Sequence, residues 1–104
     1  ADVAARVKPV RVALDFDRTI ANTKAGAPPH FGKHLADEEL LALMWQHPCE
    51  VVTRNQHVAE IRTFLGAHGA PDDLPIHAVG KGVPKSEVVL RGLRPDESVV
   101  VVDD

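Results

Sequence analysis

The stretch Val12-Ala13-Leu14-Asp15-Phe16-Asp17-Arg18-Thr19-Ile20 joins an apolar, strand-forming run to two carboxylates and a hydroxyl. On a strand, side chains two positions apart point the same way. Two carboxylates side by side disfavour each other's ionisation. A cation between them removes that penalty, and Mg²⁺ prefers such hard oxygen ligands. The pair reads as a metal-assisted site at the end of a buried strand.

Outward from this stretch, strands and helices alternate. Residues 10–15 form the first expected strand, a nearly continuous apolar run broken by Arg11. Gly26, Pro28, Pro29 and Gly32 give residues 21–33 the chemistry of a loop. A helix is expected over 36–46, with Leu35, Leu40, Leu41, Met44 and Trp45 as its apolar stripe and Asp37, Glu38 and Glu39 in its first turn. Residues 50–53 make a second strand. Val58, Ile61, Phe64 and Leu65 recur at helical spacing over 58–68, with Gly69 as the C-cap. A short third strand (76–79), a third helix (85–93) and a fourth strand (98–102) complete the pattern. Short strands, apolar on both faces and alternating with helices, predict a mainly parallel sheet covered by helices, a Rossmann-like α/β/α sandwich. Ligands of such sheets bind beyond the carboxyl ends of the strands. Those ends carry Asp15 and Asp17, then Thr53, then Lys81 and Lys85, then Asp103 and Asp104.

Composition narrows the classes. The 104 residues suit one domain, and 44% hydrophobic with 26% charged residues is ordinary for a globular chain. A net charge of −3 gives no basic footprint for nucleic acid. No apolar run approaches a membrane span. Cys49 stands alone, so no internal disulfide forms, which is compatible with a reducing cytoplasm and sets the expected location there. The six histidines are scattered and do not read as a metal set; Trp45 and Met44 read as core, Cys49 as buried and inert.

These pieces, in this order, resemble the haloacid dehalogenase (HAD) superfamily. Its first motif, a strand followed by D-x-D-x-T, is matched by Asp15-Phe16-Asp17-Arg18-Thr19. Its second, a strand ending in Thr or Ser, is matched by Val51-Val52-Thr53. Its lysine is matched by Lys85, with Lys81 as the alternative, and its acidic pair by Asp103-Asp104 after Val99-Val100-Val101-Val102. The resemblance implies a Mg²⁺-dependent phosphatase acting through an aspartyl-phosphate. Asp15 would be the nucleophile and Asp17 the general acid and base, with Thr53 and Lys85 on the phosphoryl oxygens. Mg²⁺ would bind Asp15, the backbone carbonyl of Asp17, and Asp103 or Asp104. Arg18, Thr19, Arg54 and Asn55 are candidate substrate contacts, and Asn55 reads equally as the N-cap of the next helix.

The gaps between motifs leave no room for the cap domain that many members carry. The expected substrate-facing segment is then residues 21–33, with His30, Phe31 and neighbouring His34. Capless members often act on large substrates or close the site with a partner subunit. The partner expected here is a phosphorylated substrate of open class, with an oligomer or a further C-terminal segment completing the site. Two departures from the family pattern stand out. Arg18 replaces a common glycine, and the sequence ends at Asp104, where the family continues with a helix and often a strand. Residues 1–104 are therefore expected to be a single HAD-like domain lacking that last segment. A truncated or inactive HAD-like binding module is the alternative. A receiver-type signalling domain fits less well, because no acid ends the third strand.

Overall fold

The computed structural model describes residues 10–91 and 97–102. Four strands, β1 (Val10–Leu14), β2 (Cys49–Thr53), β3 (Ile76–Ala78) and β4 (Ser98–Val102), alternate with α1 (Glu38–Gln46), α2 (Val58–Ala67) and α3 (Lys85–Arg91). All three strand pairings are parallel, in the order β3-β2-β1-β4. Expected element order and sheet type are those observed, with ends differing by one or two residues; the expected end of the third helix, at 92–93, lies outside the described residues. No helix among the described residues is long and apolar enough to cross a membrane.

Strand alternation divides the core into two layers. Val12, Leu14 and Val51 face α1 and α2, packing with Met44, Ile61, Phe64 and Leu65. Ala13 and Val52 face the other way, packing with Val79 and with Val89 of α3. Arg11 interrupts the apolar run because it shares the face of Ala13, where its guanidinium bonds Glu97 at 3.2 Å and lies 3.8 Å from the buried Glu50. Pairing of this kind is what makes a buried charge tolerable.

Local chemistry explains the element ends. Asp37 lies just outside α1 as its N-cap, its side chain accepting from Leu40 N–H at 3.0 Å. α2 ends in a Schellman motif: Ala70 N–H donates to Leu65 C=O and Gly69 N–H to Gly66 C=O. Gly69 makes this turn at φ +88°, a conformation glycine adopts without strain.

Three packing expectations change. Trp45 is 67% exposed rather than core, its indole N–H donating to Gly69 C=O at 2.9 Å. Leu35 precedes the helix and is exposed. Among the described residues β4 pairs with β1 alone, and Val100 and Val101 are exposed despite their apolar run.

Arg18 is the one non-glycine residue with positive φ among those described, at +59°. The left-handed region crowds a Cβ against the following carbonyl and costs an L-residue about 1–2 kcal/mol. Arg18→Gly is therefore expected to stabilise the fold by roughly 1 kcal/mol after the extra freedom of the unfolded glycine is counted. A urea midpoint that falls in this variant would contradict the expectation.

Candidate active site

With β1 flanked by β2 on one side and β4 on the other, the chain reverses its direction of travel across the sheet beside β1. Crevices at such reversals are where open parallel sheets bind ligands. Asp15 leaves β1 at this point, its N–H donating to Val102 C=O at 2.9 Å. Asp103 and Asp104, the expected metal carboxylates, lie outside the described residues.

The two motif aspartates do not share a strand face. β1 ends at Leu14, and the chain turns sharply at Phe16, whose carbonyl accepts from the N–H groups of Thr19, Ile20 and Ala21. The argument from strand alternation therefore fails for Asp17, which is oriented by the turn instead. Phe16 itself is fully buried, edge-on to Phe64 with ring centroids 5.9 Å apart. That packing anchors the turn between the two carboxylates.

Asp15 Oδ1 receives the Phe16 N–H at 2.8 Å and lies 3.0 Å from Lys85 Nζ. Of the two candidate lysines, Lys85 is the one beside Asp15; Lys81 is exposed in the preceding loop. Pro84 immediately before α3 suits a helix start, and the first helical residue is thereby aimed at the end of β1. A cleft of about 210 Å³ beside this pair is lined by Asp15, Lys85 and Ser86 together with Val89, Val101 and Val102.

Asp17 is held from three directions. Thr23 Oγ1 donates to its Oδ1 at 2.6 Å, Gly26 N–H to its Oδ2 at 2.8 Å, and Asn55 Nδ2 to its Oδ1 at 3.1 Å. None of these partners is legible from motif spacing. Thr23 and Gly26 come from the loop after β1, and Asn55 comes from the exit of β2.

The remaining candidates fall into other roles. Thr53 is 1% exposed at the end of β2, its Oγ1 accepting from Asn55 N–H at 3.1 Å and its carbonyl from Val79 N–H at 2.7 Å. Arg54, expected at the substrate, donates to Gly80 C=O at 2.7 Å and so ties the β2 exit to the loop before α3. Gln56, which sequence reasoning passed over, reinforces that tie through Arg54 C=O and Val79 C=O. Asn55 is not the N-cap of α2. That position is His57, whose N–H donates to Asn55 Oδ1 at 3.0 Å in a turn preceding the helix. Arg18 and Thr19 border a different cleft, of about 450 Å³, with Asn22, Leu35 and Asp37.

Only part of the loop after β1 adjoins the carboxylates. Gly26 and Ala27 meet Asp17 and Asn55, whereas Pro29, His30 and Phe31 line a cleft along α2, with Phe31 packed on His68 at 5.0 Å. His34 Nδ1 accepts from His30 N–H, and the two rings stack.

For a hard cation the donor chemistry is suitable, since the cluster offers a carboxylate and backbone carbonyls and no thiol or imidazole among the described residues. Both described carboxylates of the site already accept hydrogen bonds, Asp15 from Phe16 N–H and Asp17 from Thr23, Gly26 and Asn55. Among the described residues there is no group of three or more His, Cys, Asp or Glu side chains that could hold a metal by themselves.

Cys49 stays outside this chemistry. Burial pushes its thiol pKa up, and its Sγ lies 3.8 Å from Leu43 C=O. The neutral thiol is thus favoured in the fold, and this contribution to stability is lost as pH rises through the raised value. Iodoacetamide labelling in the native state is expected to be slower than in urea at neutral pH, with the gap widest in mildly alkaline solution. Equal rates would contradict it. Comparisons with protein-family models, with curated proteins and with solved structures each found no match to this chain.

Proposed function

We propose that this chain hydrolyses phosphomonoesters with the help of Mg²⁺, as a capless phosphatase of the HAD type. The observation that carries the reading is the 3.0 Å contact between Lys85 Nζ and Asp15 Oδ1. Residues 70 positions apart meet at the point where the sheet reverses direction, and they supply a nucleophile beside a cation.

Hydrolysis then runs in two steps. A carboxylate oxygen of Asp15 attacks phosphorus, the bond to the leaving oxygen breaks, and Asp17 gives that oxygen a proton. Asp17 next takes a proton from water, whose oxygen displaces the Asp15 carboxylate and releases phosphate. Lys85 offsets negative charge on the phosphoryl oxygens, and Thr53 keeps its hydroxyl proton as a donor for one of them. Asp15, the carbonyl of Asp17 and one of Asp103 or Asp104 would hold the metal. Mg²⁺ supplies charge neutralisation at the transferring phosphoryl group. Positioning and electrostatics of this sort are most of what phosphoryl transfer requires.

The intact nucleophile–lysine contact favours turnover over the alternative of a binding-only domain. The test is release of p-nitrophenolate from p-nitrophenyl phosphate by the purified chain, with Mg²⁺ and then with excess chelator. Metal-dependent release is expected. No release by a chain shown to be folded would overturn the reading and leave the binding module.

A further inference from the structure

The geometry points to Asn55 as the positioning residue that holds the carboxylate of Asp17 for proton transfer, an inference that rests on the phosphatase reading above. Asn55 is 1% exposed, yet every polar group of its side chain is in use. Its Nδ2 donates to Asp17 Oδ1 at 3.1 Å and to Ala27 C=O at 2.7 Å, with Asp17 Oδ2 at 3.4 Å. Its Oδ1 accepts from His57 N–H at 3.0 Å. The network admits one orientation of the amide. Turned over, Asn55 would set its oxygen against the carboxylate and a carbonyl, and its NH₂ against a donor.

Asp17 sits on a turn that β1 does not extend into, so its position is not inherited from the sheet. Thr23 and Gly26 hold Asp17 from within its own loop, and Asn55 ties it to the sheet, since the Asn55 backbone N–H is pinned to the Thr53 hydroxyl at the end of β2. The amide thus carries the placement of a central strand across to the loop carrying Asp17. A general acid contributes only when it is within hydrogen-bond reach of the oxygen that it protonates. Its loss matters most when the leaving oxygen is a poor leaving group.

This dependence provides the readout. The kcat/KM for an alkyl phosphate and for 2,4-dinitrophenyl phosphate, which reports transfer to Asp15 and not the later step common to both esters, is compared in the wild type, Asn55→Ala, Asn55→Asp, Asp17→Asn and Asp15→Asn. Asn55→Asp keeps the acceptor for His57 N–H but sets a second carboxylate against Asp17, so it controls for the turn before α2 while Asn55→Ala carries the positioning test. Both Asn55 variants are expected to lose about 100-fold on the alkyl ester and under about 10-fold on the dinitrophenyl ester, the pattern of a weakened general acid. Asp17→Asn should show the same bias more strongly, and Asp15→Asn should lose both substrates alike.

Equal losses on the two esters, or no loss, in folded Asn55 variants would overturn the positioning role while leaving the phosphatase reading standing. A wild type inactive on both esters would overturn that reading instead. In that event crystal structures of the wild type and Asn55→Ala still decide the placement: an unmoved Asp17 carboxylate counts against Asn55.

Discussion

Asp15→Asn is expected to abolish metal-dependent hydrolysis, with a loss of about 10⁴-fold or more, in line with removal of a nucleophile elsewhere. The amide is nearly isosteric, so the turn and the Phe16 N–H contact persist, and melting temperature serves as the control. In the proposed mechanism what disappears is the anionic oxygen that attacks phosphorus, which is also the negative partner of Lys85 at 3.0 Å. Initial rates on p-nitrophenyl phosphate over a Mg²⁺ series measure the loss. A variant that keeps more than a tenth of the wild-type rate would remove Asp15 from the nucleophile's role.

The largest effect on stability is expected from Phe64→Ala, at about 3–5 kcal/mol for truncating a fully buried aromatic. Phe64 is 1% exposed and meets Phe16 edge-on and the ring of His68 at 4.5 Å. A domain of this size has only about 5–15 kcal/mol in all, and each 1 kcal/mol shifts the melting point by roughly 4–8 °C. Because Phe16 separates the two aspartates, the cavity is also expected to loosen the turn that sets them. Activity should therefore fall at temperatures where the variant is still folded. Calorimetry and rate measurements on the same sample test both parts, and a melting point within a few degrees of wild type would refute the packing argument.

Much of the fold was legible because its signals are local. The apolar runs at 10–14, 49–53 and 98–102, and the helical spacing of Ile61, Phe64 and Leu65, are set by neighbours in the chain. So is Gly69, whose positive φ closes α2. Burial was harder to read. Trp45 and Val101 are apolar but exposed, since apolarity shows what an element can bury and not whether a neighbour reaches it.

Sequence alone determined the alternation that makes a parallel α/β sheet, and it placed Asp15 and Thr53 at strand ends, because side-chain periodicity and turn chemistry act over a few residues. Tertiary structure alone decided that Lys85 and not Lys81 meets Asp15, that Arg54 clamps a loop, and that Thr23, Gly26 and Asn55 hold Asp17. Strand order brings the distant partners Lys85, Gly80 and Asn55 to these places, whereas Thr23 and Gly26 reach Asp17 through the turns of one loop that has no period to read.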